Sequence, residues 1–177
     1  ASNVEIAQAV ASSGANKITL DISEIPEEES KDLSFEIGDI DTFELIGKDK
    51  EYKGLSVKSD SLNTIINGVN FTQNTKIPME LSSENVTLDR VTVDCSGYSL
   101  VLKADNTNIS LNRSVNLIST GENVVISKSV TLAPLSSDIV GKLNLTGNML
   151  VCGKVDGEKY LSFNSGEIKY ISDEEYN

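Results

Sequence analysis

Residues 85–94, NVTLDRVTVD, contain two short apolar alternations separated by a polar step. Val86 and Leu88 alternate with polar residues, and so do Val91 and Val93. Alternation at period two is typical of a strand with one buried face. The step from Leu88 to Val91 spans three residues, so an uninterrupted strand would turn Val91 to the opposite face. The pattern therefore predicts two short strands that meet at a bend.

The same phrase recurs along the chain as SLNTIINGVNF, TNISLNRSVNL and ENVVISKSVTL. The four versions align on their asparagines, which are Asn63, Asn85, Asn108 and Asn123. The alignment yields two apolar columns, Ile66, Leu88, Leu111 and Ile126 in the first and Phe71, Val93, Leu117 and Leu132 in the second. The second column requires a one-residue insertion after Arg113 and after Lys128. Repeats of about 20 residues predict a solenoid.

A bend at Asp89–Arg90 returns the second half of each phrase to the interior. Leu100 and Leu102, in GYSLVLKAD, supply a third short strand and hence a third wall. The chain is predicted to coil around a three-walled core, with parallel strands about 4.8 Å apart and apolar columns inside. A leucine-rich repeat shares the period but requires a leucine spacing that this chain lacks. A β-sandwich explains the alternation but not the aligned corners.

The opening of the chain predicts a short helix followed by a strand. Ser2 and Glu5 form a capping box, and Gly14 is in a position to end the helix. Apolar residues then recur at period two, at Ile18, Leu20 and Ile22. An acid-rich loop around Pro26 leads to a weak strand near Leu33–Ile37.

These phrases resemble the coils of the pectate-lyase-like superfamily of right-handed parallel β-helix proteins. NVTLDRVTVD, NISLNRSVNL and NTIINGVNF look like coils of that fold, and the capped helix before ANKITLDI is similar to its N-terminal plug. The resemblance covers roughly residues 2–152. It implies an all-β, right-handed parallel β-helix with a short N-terminal capping helix, and extracellular or surface placement in bacteria. Activity does not follow, because the superfamily holds lyases, hydrolases, tailspikes and adhesins.

We expect one domain over residues 1–177, with about six or seven irregular coils. Its parts are a cap helix at 2–14, coils at 15–152 and a C-terminal hairpin at 153–177. The hairpin, around Asn164–Gly166, either caps the last coil or continues into a longer protein.

Composition narrows the function classes. The chain has 177 residues, a net charge of −12 and no His, which argues against nucleic-acid binding and against a His-dependent triad. No apolar run is long enough to insert into a membrane. Cys95 and Cys152 are too few for a disulfide framework, and two unpaired, buried thiols are expected.

One column of side chains is the candidate site. Arg90, Arg113 and Lys128 align at the corner that follows the first strand of each phrase. Cations stacked along one ridge of an acidic protein would repel one another, and a ligand carboxylate or sulfate would relieve that repulsion. The alternative is that these long side chains spread into water and pair with nearby acids.

Two further features bear on function. The outward positions are mostly hydroxyls and amides, namely Thr87, Thr92, Ser110, Asn116 and Thr131, as on a flat face that binds a glycan. The acids at Glu27–Glu29 and at Asp39 and Asp41 could hold Ca²⁺, but they lack the order of an EF-hand and a solvated loop is the preferred interpretation. No catalytic residues, cofactor or resident metal are predicted.

The expected function is a non-enzymatic, secreted or cell-surface module with a structural or adhesive role, whose partner is a polysaccharide or a surface protein. The alternative is a polysaccharide lyase or glycoside hydrolase of the superfamily, or an accessory fragment of one. Those enzymes need an outward cluster of acids with an Arg or Lys in reach. No such cluster can be assembled from this sequence, so the enzyme question stays open and the balance leans against catalysis.

Overall fold

The recurring phrases fold as parallel strands that stack into three walls. The computed structural model describes residues 2–74, 76–95, 100–105, 107–113, 115–119, 125–127, 130–132, 144–146, 148–155, 159–164 and 167–171, with side chains from residue 2 to residue 115 except at Asn74 and Leu111. These residues form a β-solenoid of about four turns with one short N-terminal helix. The all-β class and the solenoid architecture are confirmed.

The described residues form two short helices and a succession of strands. They are α1 (Asn3–Ala11), β1 (Lys17–Asp21), a 3-10 helix (Glu27–Glu29), β2 (Ser34–Ile37), β3 (Thr42–Lys53), β4 (Ser56–Ser59), β5 (Asn63–Asn74), β6 (Met79–Leu81), β7 (Asn85–Asp89), β8 (Thr92–Cys95), β9 (Leu100–Leu102), β10 (Thr107–Leu111), β11 (Asn116–Ser119), β12 (Val125–Ser127), β13 (Val130–Leu132), β14 (Asn144–Thr146), β15 (Asn148–Val155), β16 (Lys159–Asn164) and β17 (Glu167–Ile171).

The first wall stacks β1, the first part of β3, the first part of β5, β7, β10 and β13. The second wall stacks the remaining parts of β3 and β5 with β8, β11 and β14. Because β3 and β5 continue around the corner, these two walls form one nine-stranded sheet, while β2, β4, β6, β9 and β12 form the third wall. Four turns contribute a strand to every wall, and incomplete turns flank them. The six or seven predicted coils exceed this number of complete turns.

The corner in the opening phrase lies where the sequence predicts it. β7 ends at Asp89 and β8 begins at Thr92. Between them Arg90 adopts a left-handed conformation with φ of 52°. The apolar positions on both sides face the core and are at most 1% exposed, namely Val86, Leu88, Val91 and Val93. One left-handed residue is therefore enough to redirect the strand while both halves stay buried.

The predicted apolar columns are confirmed for three of the four phrases. Ile66 pairs with Leu88 and Leu88 with Leu111, although the Leu111 side chain lies outside the described residues. Phe71 likewise pairs with Val93, and Val93 with Leu117.

The alignment of the fourth phrase was wrong. Ile126 pairs with Val101 on the third wall, and Leu132 pairs with Ile109 on the first. A full turn takes 22 residues from Asn63 to Asn85 and 23 from Asn85 to Asn108. Asn123 follows Asn108 by only 123 − 108 = 15 residues. That distance is too short for a full turn, and Val125–Ser127 of the fourth phrase accordingly lie on the third wall.

The N-terminal helix closes one end of the core. The Ser2 hydroxyl accepts from the Glu5 amide and the Glu5 carboxylate accepts from the Ser2 amide, which confirms the capping box. Ala7 and Ala11 are buried in the core, and the helix packs against β1 and β2. Its C-cap is Ser12 rather than Gly14, because the Ser12 amide already closes the last turn onto the Gln8 carbonyl.

The predicted hairpin near the C-terminus is confirmed, since β16 pairs antiparallel with β17. β15 adds a third antiparallel strand beside β16. Cys95 is buried in β8, whereas the Cys152 side chain lies outside the described residues, so the state of the two thiols stays a prediction.

Candidate functional site

The corner between the first and second walls brings together two of the three cations that the sequence singles out, Arg90 and Arg113. At this corner the register stacks Asp21, Ile46, Asn67 and Asp89, whose side chains face outward. The chain then turns through left-handed residues, namely Lys48, Asp49, Gly68 and Arg90. We call the polar side chains of this corner the corner ridge; they are Asp21, Lys48, Asp49, Asn67, Asp89, Arg90 and Arg113.

Arg113 is held by the acid of the preceding turn. Its Nε donates to Oδ1 of Asp89 at 3.1 Å and its Nη2 donates to Oδ2 at 2.8 Å. This is the bidentate geometry in which a guanidinium and a carboxylate pair most strongly. The hydrogen bond that Arg113 donates to Asp89, followed by the charge of that carboxylate, raises the pKa of Arg113. Arg113 is thus a paired cation, although its side chain is 60% exposed.

Arg90 makes the corresponding contacts one turn earlier. Its Nη2 donates to Oδ1 of Asn67 at 2.7 Å, and its Nη1 lies 3.1 Å from Oδ2 of Asp49. Its Nε lies 3.7 Å from Oδ1 of Asp89. Asp89 therefore stands between the two arginines and partly neutralises both.

The ridge continues toward the N-terminal end with the same alternation of sign. The Nζ atom of Lys48 lies 3.6 Å from Oδ2 of Asp21 and 3.9 Å from Oε1 of Glu24. The pKa of Asp21 is lowered, chiefly by hydrogen bonds from the side chain and amide of Ser23. Anionic and cationic groups thus interleave along the ridge, which removes the like-charge repulsion expected of a bare cation column. Ligand capture by Arg90 and Arg113 stays a prediction.

Lys128 lies outside the described residues. The register that placed it after Arg113 does not hold, because β12 belongs to the third wall. The structure therefore brings Arg90 and Arg113 to one corner, and the position of Lys128 relative to them stays a prediction.

The outer surface of the first wall carries an ordered row of amides. Asn85 Nδ2 donates to Asn63 Oδ1 at 2.9 Å, and Asn108 Nδ2 donates to Asn85 Oδ1 at 3.2 Å. A parallel row of outward side chains contains Ile65, Thr87 and Ser110. We call the side chains of Asn63, Asn85, Asn108, Thr87 and Ser110 the amide face.

The hydrogen-bonded amides were not predicted. In the sequence these asparagines served only to align the repeats. Their recurrence at one position of each repeat could have predicted a row of stacked amides. Among the predicted outward hydroxyls, Thr87, Thr92 and Ser110 are half-buried on the outer surface. The side chains of Asn116 and Thr131 lie outside the described residues.

The proposed Ca²⁺ ligands do not converge. Glu27–Glu29 lie exposed on the 3-10 helix, and Asp41 accepts a hydrogen bond from the Thr42 hydroxyl at 2.9 Å. In the described part of the chain, no three Asp, Glu, Cys or His side chains are grouped so that they could ligate a metal ion.

Two small concavities lie near the N-terminal end. One, of about 240 Å³, separates α1 from β1 and is lined in part by Ile6, Val10 and Leu20. The other, of about 340 Å³, lies between the acid-rich loop and β3 and is lined in part by Glu27, Lys50 and Tyr52.

Comparison with protein-family models, curated proteins and solved structures finds no match for this chain. A helix with the length and apolarity needed to span a membrane is not found among the described residues.

Proposed function

We propose that the protein is a non-enzymatic, secreted or cell-surface β-solenoid module with a structural and adhesive role, which binds a glycan along its amide face. The observation that carries this proposal is the hydrogen-bonded row Asn63, Asn85 and Asn108 on a stack of paired strands. The extracellular placement rests on the resemblance of the coils to bacterial β-helix proteins.

The geometry of the amide face suits an extended polar polymer. Adjacent strands present equivalent side chains about 4.8 Å apart, close to the length of one sugar unit in an extended β-linked glycan. Each side-chain amide has two donors and two acceptor lone pairs. The row uses one donor and one acceptor of Asn85, so further groups remain for a ligand. Because neighbouring amides hold one another in place, little side-chain entropy is lost on binding.

The charge distribution favours a neutral glycan. The chain has a net charge of −12, which repels acidic polymers. The side chains of the amide face are themselves uncharged, and Glu44 is the adjacent acid on the same wall. The nearest cations on the corner ridge, Arg90 and Arg113, already pair with Asp49 and Asp89.

The pairing of Arg113 also bears on the enzyme alternative. A lyase that uses Arg or Lys as its base requires that side chain to lose a proton before it attacks the substrate. The Asp89 carboxylate has the opposite effect, because it raises the pKa of Arg113. This contact supports a binding role over a catalytic one.

Native affinity electrophoresis tests the proposal. The protein is run through gels that contain neutral or acidic polysaccharides, with and without Ca²⁺, and the gels are stained for polymer loss. We expect retardation by a neutral β-linked glycan without clearing of the polymer. Clearing would favour the enzyme alternative, and free migration in every gel would overturn glycan binding and leave a protein partner.

A matched pair of variants locates the surface. Asn85→Ala with Asn108→Ala removes the amide row without changing the charge. Glu36→Ala with Lys58→Ala removes one in-register pair from the third wall and also preserves net charge. The first variant should migrate freely and the second should be retarded like the unaltered protein. Equal retardation of both would show that the glycan binds elsewhere.

A further inference from the structure

The dipeptide Asn67-Gly68 lies on the corner ridge. The side-chain oxygen of Asn67 accepts a hydrogen bond from Arg90, and the next residue, Gly68, is in the left-handed conformation. We propose that Asn67 is a self-modification site, at which the side-chain amide is converted to a carboxylate with Arg90 assisting the reaction. The inference does not depend on the proposed glycan binding.

The covalent step requires only neighbouring groups and water. The Gly68 nitrogen attacks Cγ of Asn67, forming an N–C bond and closing a five-membered imide. The Cγ–Nδ2 bond breaks, and the amide nitrogen leaves as ammonia with the proton from the Gly68 nitrogen. Water then opens the imide at Cγ to give aspartate. The net reaction exchanges ammonia for water and involves no oxidant or reductant.

The nucleophile belongs to a buried glycine that lies outside the paired positions of both neighbouring strands. On one side the register pairs Asn67 with Ile46 and resumes at Val69 with Lys50. On the other it pairs Asn67 with Asp89 and resumes at Asn70 with Thr92. Gly68 lies in the gap of both ladders, with φ of 65° and no side chain to hinder closure of the ring.

Arg90 supplies the electrostatic assistance. Its Nη2 donates to Oδ1 of Asn67 at 2.7 Å. Negative charge develops on that oxygen when Cγ becomes tetrahedral, and a fixed cationic donor stabilises it. The Asp49 carboxylate also lies beside Gly68, since a β-carbon built on Gly68 would stand 3.1 Å from its Oδ1.

The product would match a pair that already exists one turn later. Asn67 and Asp89 are partners in the register, and the Asp89 carboxylate binds Arg113 through both oxygens. An aspartate at position 67 would face Arg90 in the same relationship. The guanidinium, which now binds a neutral amide, would then bind a carboxylate of opposite charge, which is a stronger contact. The modification would thus add one more ionic link between successive turns.

Peptide mapping by mass spectrometry tests the proposal on the full chain. The folded protein and the same protein in urea are incubated at mildly alkaline pH, digested in acid, and each asparagine is scored for conversion. We expect Asn67 to convert several-fold faster in the folded protein, with aspartate as the main product. Slower conversion in the folded state, or isoaspartate as the main product, would overturn the proposal.

Two variants separate assistance by Arg90 from general reactivity of the dipeptide. Arg90→Gln should remove the acceleration in the folded protein and leave the rate in urea unchanged. Arg113→Gln, on the same ridge but without contact to Asn67, should convert at the rate of the unaltered protein. Equal rates in all three folded proteins would overturn the role of Arg90. If Arg90→Gln does not fold, the comparison of folded and unfolded unaltered protein still decides the proposal.

Discussion

Arg113 and Asp89, on successive turns of the solenoid, are joined by two parallel hydrogen bonds of 3.1 and 2.8 Å. The register explains the contact, because it stacks strand ends whose polar side chains point out of the same corner. An arginine of one turn therefore meets the acid of the turn before it. The corner ridge is a ladder of such contacts rather than a row of bare cations.

This pair should make a small, salt-sensitive contribution to stability. Arg113→Ala should lower the urea midpoint slightly at low ionic strength, and the difference should shrink as salt is added, because exposed ion pairs are weak and screened. Denaturation monitored by circular dichroism checks this. Asp89→Asn alone and combined with Arg113→Ala completes a double-mutant cycle. Strict additivity of the two substitutions would contradict the pairing.

Asp89 should also control how the protein responds to acidic polymers. Asp89→Asn removes the carboxylate that faces Arg90 and Arg113, so the ridge should gain affinity for an anionic polysaccharide. The variant should be retarded more than the unaltered protein in gels that contain an acidic glycan. Asp94→Asn changes the net charge equally at an exposed site on β8 and serves as the control. Equal retardation of the two variants would indicate an effect of net charge alone.

The apolar column of the first wall should carry much of the stability. Leu88 is fully buried, and its truncation to Ala should lower the free energy of unfolding by about 2–5 kcal/mol. Thr87 faces outward on the same strand, and Thr87→Ala should stay within about 0.5 kcal/mol of the unaltered protein. Chemical denaturation measures both. The reverse order would refute the assignment of the two faces.

A side chain at Gly68 should destabilise the folded protein. Its φ of 65° favours glycine, and a β-carbon would stand 2.9 Å from the Asp49 backbone nitrogen. Gly68→Ala should therefore cost about 1–3 kcal/mol of unfolding free energy. Gly38 has open space around its β-carbon position, so Gly38→Ala should change stability by less than about 0.5 kcal/mol. Thermal melts of the two variants provide the comparison.

Tyr52 should make stability depend on alkaline pH. It is 1% exposed and its hydroxyl donates to the Gly47 carbonyl at 3.0 Å. Burial, and secondarily the charge of Asp21, raises the pKa of Tyr52 to about 12. A raised pKa means that the folded state holds its proton more tightly than the unfolded state, whose phenol titrates near about 10. The stabilisation is therefore complete below about pH 10 and is lost as the pH rises toward 12.

Tyr52→Phe isolates this contribution, because it removes the titrating phenol and leaves the ring. At neutral pH the variant should lose about 1–3 kcal/mol of unfolding free energy, since the Gly47 carbonyl loses its buried donor. The difference from the unaltered protein should narrow above pH 10. A difference that stays constant up to pH 12 would contradict the raised pKa.

The sequence by itself determined the architecture of this protein, because the information lies in local periodicity. Two alternations separated by a three-residue step require a bend, and recurrence of the phrase requires stacking. Where the repeat length is regular, the register of Ile66 with Leu88 follows directly. Where the spacing shortens after Asn108, periodicity alone could not identify the wall, and the alignment that included Lys128 failed.

The contacts of the ridge and of the amide face were decided only in three dimensions. Residues 23 or 24 positions apart, such as Asn67 with Arg90 and Asp89 with Arg113, meet because the turns stack in register. The left-handed corner at Arg90 has no residue signature, since an arginine rarely adopts that conformation unless its surroundings impose it. The sequence shows which corner residues are charged and with which sign. Which side chain each of them contacts depends on the number of residues in the turn between them.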